Sequence, residues 1–61
     1  MDTYRIFYTI DGITYSFICQ FTLPKNDPRN NIVFLSAIEN DKERISIDGI
    51  IENWKYELLH P

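Results

Sequence analysis

Two runs of β-forming residues joined by Asp11-Gly12 constrain this chain more than any other feature of its sequence. Residues 3–22 are rich in Tyr, Phe, Ile and Thr, the residues that fit a pleated, half-buried surface. A two-residue type I′ turn needs positive φ at both central positions, which Asp-Gly supplies at low cost. Such a turn sets Ile10 opposite Ile13, Tyr8 opposite Tyr15, Ile6 opposite Phe17 and Tyr4 opposite Cys19. All four pairs share one face, while alternation sends Arg5, Thr9, Thr14, Ser16 and Gln20 to the other. Phe7 and Ile18 also fall on that second face, where they fit poorly with a wholly solvated surface. Part of it is therefore expected to be covered, by curling into a barrel, by the C-terminal segment or by a second copy of the chain.

Leu23 to Asn31 reads as a loop, because Pro24 and Pro28 bracket turn-favouring Asn and Asp residues. Lys25 and Arg29 make it the nearest thing to a basic spot. Ile32 to Ile38 is a short, nearly unbroken apolar run, which suggests a central strand buried on both faces. Glu39 to Glu43 then supplies a polar turn, and Arg44 to Ile47 a short strand with Ile45 and Ile47 inward. Asp48-Gly49 fits a tight corner better than a hairpin, since a two-residue loop there would set Ile45 against Glu52. The last segment reads two ways. Trp54, Tyr56 and Leu58 alternate as in a strand, whereas Ile47, Ile51, Trp54 and Leu58 have helical spacing behind an Asp48 cap.

The expected fold class is thus mostly β: one domain over residues 1–61, either a small barrel or a strongly curled antiparallel sheet of about five strands, ending in a strand or short helix. The order of elements resembles an SH3- or Sm-type small barrel. Within that group the chain is similar to the WYL domains of bacterial regulatory proteins. Phe7-Tyr8 with Asp11-Gly12 resembles their tyrosine-bearing first hairpin. Val33-Phe34-Leu35-Ser36-Ala37 sits where the family has its Trp-Tyr-Leu strand, and Arg44 to Ile50 resembles its arginine-rich strand and Asp-containing corner. Val33 stands in place of the family's Trp, and Ser46 and Gly49 stand where family members carry ligand-binding arginines. What the resemblance implies is the fold without that ligand site.

A chain of 61 residues buries only about 60% of its unfolded surface. With a single cysteine, Cys19, it has neither an internal disulfide nor a paired-thiolate zinc site to reinforce so thin a core. Four Tyr, four Phe and one Trp are many for that interior, so some rings are expected at the surface as partner contacts. Net charge is −3 with the signs interspersed. That argues against non-specific nucleic-acid binding, which needs phosphate-neutralising residues gathered on one face. No apolar run reaches the ~20 residues of a membrane span, no signal-peptide pattern opens the chain, and a cytoplasmic address is the expectation.

No catalytic residue, metal ligand or cofactor site stands out. Cys19 lies within a strand on the apolar face, His60 lies next to the terminal Pro61, and Asp41 and Glu43 read as solvated turn charges without calcium-loop spacing. Gly12 and Gly49 are isolated and each is explained by a turn. The expected function is a non-catalytic protein-interaction module of the kind used by phage or plasmid regulators and inhibitors, with a homodimer as one form. Phe7, Ile18, Lys25, Arg29, Trp54 and Tyr56 are the candidate contacts. Two alternatives stand beside it: a degenerate WYL-like domain binding nucleic acid or a small anion, which requires Arg5, Lys25, Arg29 and Arg44 to cluster, and an acidic nucleic-acid mimic.

Overall fold

The computed structural model describes residues 1–23 and 29–61. They form β1 (Asp2–Ile10), β2 (Ile13–Phe21), α1 (Asn30–Arg44) and β3 (Asn53–His60). The strands make one antiparallel sheet in the order β2-β1-β3. Its opening hairpin has the register expected from the sequence, Ile10 facing Ile13, Tyr8 facing Tyr15, Ile6 facing Phe17 and Tyr4 facing Cys19. Asp11 and Gly12 take φ of 52° and 77°, the positive pair a type I′ turn requires.

β3 pairs with the other side of β1, setting Trp54 opposite Tyr8, Tyr56 opposite Ile6 and Leu58 opposite Tyr4. The C-terminal segment is therefore a strand, and its Trp54, Tyr56 and Leu58 join the apolar face of the hairpin. The pairing then shifts so that Thr3 faces His60, which leaves Leu59 as an extra residue in a bulge.

Beyond these elements the architecture departs from the expected barrel. Among the described residues the sheet has three strands and stays open. Ile32–Ile38, expected as a central strand, lies inside α1, as does the supposed polar turn Glu39–Glu43. Arg44 ends that helix, and Ile45 to Ile47 leave it without forming a strand.

Two physical reasons account for the helix. β2 and β3 are both antiparallel to β1 and hence parallel to each other, so the chain must cross from one end of the sheet to the other between them. Such crossovers are usually helical. In addition, Phe34, Ile38, Asp41 and Ile45 recur at helical spacing, and the first three are buried. At about 1.5 Å per residue, the 15 residues of α1 reach about 22 Å across the sheet.

The core is Tyr4, Ile6, Tyr8 and Ile10 of β1 against Phe34 and Ile38 of α1, flanked by partly buried rings from β2 and β3. Phe34 lies at its centre. Its ring stacks on Tyr56 at 4.2 Å and meets Tyr4 and Phe21 edge-on at 5.3 and 5.7 Å.

The helix closes with Ser46 at φ 58°. Ile47 N–H donates to the Lys42 carbonyl at 2.9 Å and Ser46 N–H to that of Glu43 at 3.1 Å, the paired bonds of a Schellman cap. A bend at Gly49 follows, so Asp48-Gly49 makes the expected corner. Lys42 Nζ holds it by donating to the Gly49 carbonyl at 2.6 Å. Among the described residues no helix is long and apolar enough to cross a membrane.

Candidate functional site

Among the described residues, no further element of the chain packs over the second face of the sheet. Local contacts shield it instead. Lys55 Nζ sits 5.1 Å above the Phe7 ring, a cation–π contact. Arg5 lies 3.6 Å from Glu57, and Thr9 and Thr14 hydroxyls are 3.1 Å apart across β1 and β2. Ile18 alone among the β2 side chains on this face is apolar, and it is 58% exposed.

On the helix side, Tyr8 donates its hydroxyl proton to Asp41 Oδ2 at 2.7 Å. Arg44 grips the other carboxylate oxygen through Nε at 3.0 Å and Nη2 at 2.8 Å. Asp41 is thus buried beneath the helix and not a solvated turn charge. Burial, reinforced by the bond to Asp41, holds the Tyr8 phenol well above its ordinary range. This network ties β1 to α1 and fixes where the helix lies.

Among the described residues, that placement leaves β2 uncovered along its outer side. A groove of about 610 Å³ runs there between Phe17, Cys19 and Phe21 of β2 and Ala37, Asn40 and Arg44 of α1. Cys19 is partly buried, and burial pushes its thiol pKa up, so it serves the groove as a small apolar wall. His60 lies exposed near the end of β3. Among the described residues no group of three or more His, Cys, Asp or Glu could hold a metal ion.

The two sheet edges differ in chemistry. β3 carries Lys55, Glu57 and His60 together with the bulge at Leu59, devices that discourage strand pairing. β2 reads Ile-Thr-Tyr-Ser-Phe-Ile-Cys-Gln-Phe, nine residues without a charge or a proline. The ladder also fixes which β2 groups point outward. Glu52 N–H donates to the Thr9 carbonyl at 2.9 Å, so Thr9 bonds toward β3, and the neighbouring Tyr8 and Ile10 bond toward β2. By alternation, Thr14, Ser16, Ile18 and Gln20 direct their backbone N–H and C=O groups away from β1.

Of the six contacts expected from sequence, the five that are described do not form one surface. Trp54 and Tyr56 come together beside Phe34, their ring centroids 6.3 Å apart, with Tyr56 51% exposed. Phe7 lies on the opposite face under Lys55, and Ile18 lies on the far edge strand. Arg29 is the exposed residue that precedes α1, and Lys25 lies outside the described residues. Arg5 and Arg44, which a nucleic-acid or anion site would need together, sit on opposite faces of the sheet, each beside a carboxylate. The β2 edge itself was missed in the sequence, although its signal is there: the longest stretch of strand without a charge.

No protein-family model matches the chain, and no curated protein or solved structure is significantly similar to it.

Proposed function

We propose that this chain is a small non-catalytic interaction module that binds a partner protein through the outer edge of β2 and the groove beside it, acting by occupancy as a regulator or inhibitor does. The observation that carries this reading is the uncharged nine-residue edge bordering an apolar groove. Strand addition is the matching mode of recognition: main-chain bonds give affinity, and alternate side chains enter the groove to give selectivity.

The opposite edge supports the assignment by contrast. Charged side chains and a bulge guard β3, so a sequence that protects one edge and leaves the other neutral distinguishes between them. The β3 rings, Trp54 partly buried and Tyr56 exposed, are bound up with Phe34 and serve the core as well as the surface.

A photo-crosslinking amino acid placed at Ile18 in the native cell tests this. Expected is a defined polypeptide adduct from Ile18 and none from Glu57 on the guarded edge. Absence of an adduct from Ile18, or equal yields from both edges, refutes the reading.

A further inference from the structure

We infer that the occupant of the β2 edge is a second copy of this chain, the two β2 strands pairing antiparallel about a two-fold axis at Phe17. This rests on the reading of β2 as a docking edge and goes beyond it by naming the partner and the register.

The register follows from the outward groups. Antiparallel pairing joins outward-pointing residues to outward-pointing residues. With the axis at Phe17, Thr14 meets the partner's Gln20 and Ser16 meets the partner's Ile18, so all four outward residues of each strand pair with one another. Each such pair exchanges two bonds, roughly eight in total. Moving the axis by one residue, to Ser16 or Ile18, leaves outward groups of the strand ends without partners.

Side chains agree with this register. A two-fold axis perpendicular to the sheet keeps both helices on the same face. There Ile13 meets the partner's Phe21, Tyr15 meets the partner's Cys19, and Phe17 meets the partner's Phe17. On the other face Ile18 lies beside the partner's Ser16 and diagonal to the partner's Ile18. Ile13 and Ile18, the exposed large apolar side chains of β2 at 55% and 58%, are thereby covered. Charge permits it as well: each chain carries −3, yet β2 carries none of those charges, so self-pairing sets no like charges opposite one another. The two grooves merge into one trough floored by the paired Phe17 rings and walled by α1 of each copy.

Sedimentation equilibrium of the intact chain, with Ile18→Pro and Ile18→Lys beside it, tests the proposal. The Ile18 N–H points away from β1, so proline there spares the hairpin ladder and blocks only the outer one. Expected is a dimer for the unaltered chain and a dissociation constant raised at least about tenfold in either variant, with circular dichroism unchanged. Ile18→Lys supplies the answer if the proline variant fails to fold.

The register has its own readout. In the Cys19→Ser background, Phe17→Cys faces its own copy in a non-hydrogen-bonded pair about 4.5 Å apart between Cα atoms, close enough for a disulfide. It is expected to form a covalent dimer on mild oxidation, whereas native Cys19, opposite the partner's Tyr15, is not. A chain that stays monomeric to millimolar concentration overturns the proposal, as does a dimer indifferent to both Ile18 variants. If the monomer result comes with crosslinks from Ile18 to a different protein, the second copy is wrong and the docking edge stands. If neither dimer nor crosslink is found, both fall.

Discussion

Replacing Asp41 by alanine takes away the acceptor of the buried Tyr8 hydroxyl. Tyr8 is fully buried and Asp41 is 6% exposed, so the 2.7 Å bond between them is made away from solvent. Loss of a hydrogen bond to a charged group costs about 1.5–3 kcal/mol, and the stranded donor adds to this. The Arg44 side chain is 66% exposed, so its released bonds return to water and contribute less than about 1 kcal/mol. Asp41→Ala is therefore expected to cost about 2–4 kcal/mol. For a chain of this size, total stability at roughly 0.05–0.15 kcal/mol per residue is about 3–9 kcal/mol, so the loss is a large share. Tyr8→Phe removes the donor but leaves the carboxylate with Arg44, and is expected to cost about 1–1.5 kcal/mol. The double variant should fall short of the sum by about 1–2 kcal/mol, because each single change has already broken the shared bond. Urea unfolding followed by Trp54 fluorescence measures all three, provided the slope with denaturant stays constant. A cost below about 0.5 kcal/mol for Asp41→Ala, the range of ordinary surface changes, or strict additivity, refutes the network.

Other consequences concern the backbone and alkaline pH. Gly49→Ala would bring a Cβ to 2.6 Å from Ile10 Cγ2 at φ +134°, whereas Gly12→Ala meets nothing within 4 Å; thermal unfolding should show a loss of about 2–3 kcal/mol for the first and about 1 kcal/mol for the second. Ser46→Gly relieves a left-handed residue in the helix cap and should raise stability by about 0.5–1 kcal/mol in the same assay. Burial raises the pKa values of Cys19, Tyr4 and Tyr8 above their ordinary 9.0 and 10.0. The unfolded chain then releases these protons first, so the stability they contribute is complete below pH 9.0 and is lost as pH climbs through the raised values. Urea midpoints measured across that range should fall, and Tyr8→Phe should flatten the fall.

The hairpin was legible residue by residue because a two-residue turn and strict alternation are both local properties of the chain. β3 was legible only in part: Trp54, Tyr56 and Leu58 keep period two, but Ile47, Ile51, Trp54 and Leu58 also keep helical spacing, so local pattern left strand and helix both open. The helix was not legible in the window that held its apolar run. Ile32 and Leu35 are 63% and 37% exposed, so two residues that made the run look like a doubly buried strand lie outside the core. Only across residues 30–44 do Phe34, Ile38 and Asp41 separate as the buried stripe. Asp41 was misread with it, because an acidic residue in a polar stretch reveals its burial only when a tyrosine 33 positions away in the chain is known to face it. The groove depends on how far α1 sits from β2, a long-range packing outcome that no local pattern encodes. Its floor was nevertheless visible as an uncharged strand.

Amide hydrogen exchange of Thr14, Ser16, Ile18 and Gln20, followed as the protein concentration rises, tests most directly whether β2 pairs through its outer edge. Among the described residues these four N–H groups have no partner strand within one copy, so at low concentration they should exchange rapidly while their neighbours Tyr15, Phe17 and Cys19 are protected by β1. Pairing of two edges should slow all four together as concentration increases. Exchange that stays fast at every concentration, with the purified chain at its highest solubility, contradicts self-pairing through this edge.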